Sequence, residues 1–172
     1  MTSDVDIRDA DRADASALAA CYRNAYRTGA ERGFPTRMTE IEADTVAEWL
    51  AADAVTLVAE PADASATGAS DRRQIVGSVR MLEERDDPYM ERLAVVDDWQ
   101  GRGLARALFD RMEAIALDRG HDRMQLTTYS NHPFLFDWYA DRGYETVETH
   151  EKPDRPYDYV TMERRLSTPI ER

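Results

Sequence analysis

Residues 95–105 of this 172-residue chain read Val95-Val96-Asp97-Asp98-Trp99-Gln100-Gly101-Arg102-Gly103-Leu104-Ala105. The valines end a predicted strand, Met90–Val96, and the glycines lead into a segment, Gly103–Arg119, whose apolar residues recur at helical spacing. A strand therefore passes through a glycine-bearing turn directly into a helix. The first amides of such a helix have no partner within it, and together with the helix dipole they form a cradle for a phosphate or pyrophosphate.

The glycine turn also has a simpler interpretation, a plain tight turn. It lacks the third glycine of a dinucleotide-binding fingerprint and the Gly-Lys-Ser/Thr of a nucleotide P-loop. Arg102 and Arg106 flank the turn and are candidates for contacts with phosphate groups, although pairing with surface aspartates is the alternative for both. Taken alone, the turn indicates a candidate anion site and no particular nucleotide.

The rest of the chain alternates between strand-like and helical patterns. Apolar alternation or short apolar runs predict strands at 5–8, 55–59, 74–82, 90–96, 123–128, 144–149 and 157–166. Helical spacing predicts helices at 15–25, 39–52, 103–119 and 133–142. This order predicts an α/β fold with a single mixed, mostly antiparallel sheet of about seven strands flanked by about four helices. We expect one domain, residues 1–172, with its core at about 5–166.

Two local features refine this fold prediction. The strands at 55–59 and 74–82 are separated by a stretch of Ala, Ser, Gly and Asp without periodicity, which indicates a hairpin with a loose tip. Glycines and a proline at 28–37 predict a loop between the first two helices. Thr39, three residues before Glu42, has the spacing of a capping box at the start of the second helix.

Charge and composition exclude several classes of protein. The net charge is −12 and the sequence pI is near 4.7. We therefore expect no binding of nucleic acid or of anionic membrane through bulk charge. All but one of the 22 basic residues are arginines, the exception being Lys152. An acidic, lysine-poor surface is similar to that of proteins from salt-loving microbes, where salt screens self-repulsion.

The single cysteine, Cys21, excludes a disulfide within the chain and a cysteine-built zinc site. His121, His132 and His150 show no ligand spacing, so we expect no metal. No apolar run reaches 18 residues, and the start of the chain, Met1–Asp14, is acidic where a secretory signal would be basic and then apolar. We therefore expect a cytoplasmic, unprocessed protein.

Two motifs together resemble the GNAT family of acetyl-CoA-dependent N-acetyltransferases. The family signature Gln/Arg-x-x-Gly-x-Gly/Ala is met by Gln100-Gly101-Arg102-Gly103-Leu104-Ala105. The block Asn131-His132-Pro133-Phe134-Leu135-Phe136-Asp137-Trp138-Tyr139-Ala140-Asp141-Arg142-Gly143-Tyr144 is similar to the family's Asn, aromatic-Tyr and Gly-Phe/Tyr landmarks, although Asn131 lies eight residues before Tyr139, one more than in some members. Val160-Thr161-Met162 resembles the usual closing strand. The resemblance covers about residues 5–166 and implies a GNAT-like sheet.

The resemblance implies that acetyl-CoA is the cosubstrate and that residues of the strand, the turn and the second motif bind it. In the family, the strand before the cradle pairs its backbone with pantetheine and offers an amide to the thioester carbonyl. The implied cofactor-binding residues are Leu93, Ala94, Val95, Gln100, Gly101, Arg102, Gly103, Leu104, Ala105, Arg106 and Asn131. A backbone donor aimed at a developing oxyanion is typically worth a few kcal/mol of the barrier.

The chemistry of acetyl transfer needs an acid for the leaving sulfur. A tyrosine has a reference pKa of about 10 and a thiol about 8.5, so an unperturbed phenol is protonated at neutral pH and can donate to the sulfur. The resemblance implies that Tyr139 is this acid. The alternative is that Tyr139 is a core aromatic residue packed beside Trp138.

The amine must lose a proton, because an ammonium has no lone pair with which to attack. Glu91 lies two residues before Leu93, on what strand alternation predicts to be the same face, where some family members place a carboxylate that draws this proton. The alternative is a solvated acid at a strand edge. Glu83 and Glu84 are rivals for the role.

The identity of the amine acceptor is not encoded in a recognisable way. Residues 27–38 lie where the family builds one wall of its acceptor pocket, and Arg32, Phe34 and Arg37 could select an acidic or aromatic acceptor, or belong to an exposed loop. A primary amine on a small molecule or a peptide is the expected acceptor. The sequence leaves open a homodimer, an acyl group longer than acetyl, and two other functions: a non-catalytic sensor or regulator that binds CoA or acetyl-CoA, and a purely structural partner-binding domain.

Overall fold

The computed structural model describes residues 5–31, 37–52, 54–62, 74–130, 135–151, 153–154 and 158–166. The chain divides into two compact units, each made of two segments. The first unit contains Met1–Met81 and Arg92–Met112, and the second contains Leu82–Glu91 and Glu113–Arg172.

Four α-helices and seven strands lie within the described residues, as the sequence predicts. The helices are α1 (Ala15–Glu31), α2 (Ala43–Ala51), α3 (Leu104–Asp118) and α4 (Leu135–Asp141). The strands are β1 (Val5–Asp9), β2 (Val55–Pro61), β3 (Gly77–Leu82), β4 (Tyr89–Val95), β5 (Arg123–Tyr129), β6 (Glu145–His150) and β7 (Tyr159–Arg165). Short 3₁₀ turns occupy Arg12–Asp14, Arg37–Glu40 and Asp97–Trp99.

In the first unit the strand order is β1-β2-β3-β4. β1 pairs with β2 and β2 with β3, both antiparallel, with Val55 opposite Met81 in the second pair. This confirms the predicted hairpin, whose tip at 63–73 lies outside the described residues. Beyond the end of β4, the amide of Val96 donates to the carbonyl of Val76 over 3.0 Å.

In the second unit the order is β4-β5-β7-β6. β4 runs parallel to β5, with Tyr89 opposite Gln125 and Met90 opposite Leu126. β5 pairs with β7 and β7 with β6, both antiparallel. The sheet is therefore mixed and mostly antiparallel, which confirms the predicted fold class.

The core of the first unit forms where the apolar faces of α1 and α2 meet strands β2 and β4. Its largest fully buried side chains include Leu18, Tyr22 and Val46, and Cys21 is buried beside them. Met124, Tyr139, Tyr144 and Met162 are among the buried residues of the second unit. Burial of each such side chain contributes roughly 1.5–3 kcal/mol to folding, so these side chains hold the elements in place.

Two sequence predictions about α1 and α2 are wrong. α1 continues to Glu31, into the segment predicted as a loop, because one helical glycine costs only about 1 kcal/mol and the buried face of the helix offsets it. Thr39 does not cap α2, because it lies inside the 3₁₀ turn Arg37–Glu40. The N-cap is the extended Glu42, whose side chain makes no capping bond.

No helix within the described ranges combines the length and the apolar character that crossing a membrane requires. In the same ranges, no three His, Cys, Asp or Glu side chains are grouped so that they could hold a metal ion. The expectation of a metal-free site stays a prediction.

Candidate active site

The glycine turn of the first unit is stabilised by one of its own side chains and by a side chain of α1. The Gln100 side-chain amide donates to the Val95 carbonyl over 3.1 Å, which ties the end of β4 to the turn. The backbone amide of Asp97 donates to the side-chain carbonyl of Asn24 on α1 over 3.0 Å. The motif glutamine therefore has a structural task inside the turn, and Asn24 is a support that sequence reasoning missed.

Both glycines of the turn have left-handed backbone conformations, with φ of 79° at Gly101 and 83° at Gly103. A Cβ added to either would meet nothing within 4 Å. Glycine is thus required here by backbone conformation, and the space beside the turn is open. Within α3, the Ala107 amide donates to the Gly103 carbonyl over 3.1 Å, so the amides of residues 104–106 come before the helix can supply an acceptor.

Arg102 in the turn and Arg106 near the start of α3 are both exposed. The guanidinium carbon of Arg102 lies 4.6 Å from the centre of the Trp99 ring, a cation–π distance. Stacking of this kind orients a guanidinium without burying it. Arg102 and Arg106 therefore retain access to solvent and to an anion at the turn.

Gly77 at the start of β3 is a residue that the sequence predictions missed. A Cβ there would lie 2.9 Å from a methyl group of Leu104, 3.2 Å from one of Leu108 and 3.3 Å from the Ala94 carbonyl oxygen. The first turn of α3 therefore packs directly on the backbone of β3. A glycine inside an otherwise β-branched run is the signal that could have indicated this close approach.

The middle of β4 contains a left-handed residue, Arg92, with φ of 57°. A non-glycine residue in this region is uncommon, and such residues cluster at functional sites. The regular alternation of faces does not carry across it, so the predicted shared face of Glu91 and Leu93 does not follow from strand geometry. The next carbonyl, that of Leu93, accepts a hydrogen bond from the Tyr26 hydroxyl on α1 over 3.0 Å.

The three candidate carboxylates have different surroundings in the second unit. Glu83 accepts hydrogen bonds from Arg119 over 2.8 Å and 3.0 Å and lies 2.8 Å from Nε2 of His121. These partners, His121 foremost, lower the pKa of Glu83, which makes it a poorer proton acceptor. Glu84 is exposed, and Glu91 is half-buried on β4, directly before Arg92.

Tyr139 lies on α4 and is 6% exposed. Its ring packs edge-on against Trp138 at 5.5 Å and against Tyr144 at 6.2 Å between ring centres. Burial, with a smaller effect of Tyr89, raises the pKa of its phenol, so the hydroxyl keeps its proton at neutral pH. Tyr139 is therefore both a packed aromatic residue and a protonated phenol, and Tyr89 is a neighbour that the sequence did not indicate.

The predicted site residues fall into two groups. The first unit brings Val95, Gln100 and the two glycines together at the turn. The second unit brings Tyr139 near Tyr89, which precedes Glu91 by two residues on β4. Asn131, Arg32 and Phe34 lie outside the described residues, and Arg37 is exposed in a 3₁₀ turn.

Comparisons of sequence are consistent with one family. The chain matches the family model described as an acetyltransferase (GNAT) domain over residues 36–166. N-alpha-acetyltransferase 80 of Mus musculus is 33% identical over 99 residues, which are 56% of this chain and 28% of that protein. The match therefore spans little more than a quarter of that relative's length.

Two solved structures share the fold. The ribosomal-protein-S18-alanine N-acetyltransferase of Escherichia coli matches with a TM-score of 0.72 and 17% identity, over 97% of each chain. YncA of Salmonella typhimurium, solved with its cofactor acetyl-CoA, matches with a TM-score of 0.71 and 22% identity, over 99% of this chain and 98% of that one. Since the family model covers well over half of the sequence, the chain belongs to the GNAT acetyltransferase family.

Proposed function

We propose that this protein transfers an acetyl group from acetyl-CoA to a primary amine. The observation that carries the proposal is the glycine turn, where two left-handed glycines and the first amides of α3 border open space. A helix start of this kind suits a pyrophosphate. Acetyl-CoA supplies the activated thioester, and Arg102 and Arg106 are the cations that would approach its phosphates.

The backbone of Leu93, Ala94 and Val95 is our candidate for binding the pantetheine arm and the thioester carbonyl. The Tyr26 hydroxyl already holds the Leu93 carbonyl, which fixes the direction of this segment. A rigid backbone donor is effective in catalysis because it needs no reorganisation when charge develops on the carbonyl oxygen. Left-handed Arg92 is the residue that turns the segment away from regular strand geometry.

Two side chains of the second unit are our candidates for moving protons. Tyr139 would donate the phenolic proton to the departing sulfur, and burial, which raises the pKa of the phenol, keeps it protonated before that step. Glu91 would accept the proton that the attacking amine releases. Glu83 is a weaker candidate for this role, since its carboxylate is bound by Arg119 and His121.

The acceptor class to test first is an α-amino group at the start of a peptide. Two proteins similar to this chain are named for that reaction, an N-alpha-acetyltransferase and a ribosomal-protein-S18-alanine N-acetyltransferase. Small primary amines are the second class.

The experiment has two steps. A melting curve with and without acetyl-CoA tests binding, because a ligand held only by the folded state raises the melting temperature. Thiol release with a panel of peptides and small amines then tests turnover. The protein's own thiol, Cys21, will not interfere, since burial raises its pKa to about 12. Stabilisation without thiol release for any amine would favour the alternative, a CoA-binding sensor, and no stabilisation would contradict both.

A further inference from the structure

A buried carboxylate in the second unit gathers three donors. Glu113 on α3 is 7% exposed. Its carboxylate accepts hydrogen bonds from the Tyr144 hydroxyl over 2.7 Å, from Arg142 over 2.8 Å and from Arg164 on β7 over 2.6 Å. Isolated buried carboxylates are costly, and this one is retained with two cations and a phenol around it. We therefore expect the cluster to do more than fill space in the core.

Two of the three donors, Arg142 and Tyr144, come from the segment that ends α4. The amides of Arg142 and Tyr144 both donate to the Tyr139 carbonyl over 3.0 Å. The Tyr144 ring packs against the Tyr139 ring. The Arg142 guanidinium lies 5.7 Å from the centre of the Trp138 ring. Tyr139 is thus held at its carbonyl and at its ring by two residues whose side chains end on Glu113.

The turn between α4 and β6 is held on its other side by Arg164. A Cβ at Gly143, where φ is 103°, would lie 3.5–3.8 Å from the side chain of Arg164, so the arginine stem lies against this turn while its head binds Glu113. Burial and the Glu113 charge raise the pKa of the Tyr144 phenol, which therefore stays a donor. Each link fixes the end of α4 relative to α3 and β7 within this unit.

We propose that Glu113 is a positioning residue that sets the direction of the Tyr139 hydroxyl through Arg142 and Tyr144. This inference rests on the proposed role of Tyr139 as the acid. In this role Glu113 acts through the residues that it binds and not by touching the substrate. A proton donor displaced by a fraction of an ångström loses much of its effect, so the side chains that hold the donor in place affect turnover.

A double-mutant cycle tests the proposal. Glu113→Gln keeps the size of the side chain and removes its charge. We expect it to lower kcat at least tenfold, to leave the KM for acetyl-CoA within twofold, and to lower kcat less than twofold when Tyr139 is already Phe. This non-additivity is the signature of a residue that acts through Tyr139. An equal loss in both backgrounds, or no loss in either, overturns the proposal.

Two further variants make the outcome unambiguous. Glu163→Gln is the matched control, because Glu163 on β7 also pairs with an arginine, Arg123 over 3.2 Å, but accepts its hydrogen bonds from β5, the second from Gln125 over 3.0 Å. It should keep the wild-type kcat. If Glu113→Gln does not fold, Tyr144→Phe removes one link and should lower kcat about threefold with the same non-additivity. A Tyr139→Phe enzyme with normal kcat overturns the acid role itself and this inference with it, whereas a slow Tyr139→Phe enzyme beside a normal Glu113→Gln enzyme overturns only the inference.

Discussion

The glycine turn and the surroundings of Tyr139 are built in opposite ways. The turn consists mostly of backbone groups from the consecutive residues 95–106, and its glycines are exposed. Tyr139 is buried, and the side chains around it come from β4, α4 and the turn after α4. A backbone site needs particular residues only where conformation demands them, whereas a side-chain site needs a partner at every contact. Substitutions should therefore affect the two regions differently.

The largest effect is expected at Tyr139. Tyr139→Phe keeps the ring and its contacts with Trp138 and Tyr144 while it removes the proton proposed for the leaving sulfur. Turnover should fall by about 10²–10⁴-fold with little change in the affinity for acetyl-CoA. Steady-state kinetics measures turnover and the KM for acetyl-CoA, and a melting curve on the same preparation measures stability. Near-normal turnover with reduced stability would show that this region is packing alone.

Glu91 should give the next largest effect, and one that depends on pH. Glu91→Gln removes the proposed acceptor of the amine proton, so we expect the greatest loss of turnover at low pH, where free amine is scarce. The loss should shrink as pH rises, because free amine then forms without help. A pH–rate profile measures this, with Glu84→Gln, an exposed neighbour, as control. A profile identical to wild type would move the role to another residue.

Gly77 tests how closely the turn depends on its support. Gly77→Ala places a methyl group 2.9 Å from Leu104 at the start of α3. Overpacking of this kind costs about 1–3 kcal/mol, and the displaced helix start should also bind acetyl-CoA more weakly. Denaturant unfolding and calorimetry report the two effects. Wild-type stability and affinity together would mean that α3 can shift without cost and that the glycine turn does not depend on the packing of α3 against Gly77.

The smallest change is expected at Gly103, and a matched glycine isolates it. Gly103 and Gly120 both have positive φ, 83° and 93°, and a Cβ at either meets nothing within 4 Å. Alanine should cost each about 1–2 kcal/mol of stability, since left-handed backbone disfavours a side chain. Only Gly103→Ala should weaken acetyl-CoA binding. Equal affinities in calorimetry would remove the turn from the binding site.

The same contrast explains what could be predicted from the sequence. The turn could be predicted because glycine positions and a strand-to-helix change are local signals. The order of elements could be predicted from periodicity. Tyr139 was singled out through its motif, yet the Tyr144 hydroxyl that binds Glu113 and the effect of Tyr89 on Tyr139 join residues distant along the chain. The left-handed conformation of Arg92 could not be predicted, because an arginine does not indicate a positive φ. The capping box at Thr39 was misjudged because spacing alone cannot distinguish a 3₁₀ turn from an N-cap.

Helix α1 supports two parts of the proposed cofactor site at once. Asn24 holds the amide of Asp97 in the turn, and Tyr26 holds the carbonyl of Leu93 in β4. The same helix continues towards the residues expected to line the acceptor pocket. Residue 26 is therefore a natural boundary for engineering: we expect replacements after it to change which amine is accepted, and replacements at Asn24 or Tyr26 to change the handling of acetyl-CoA for every amine alike.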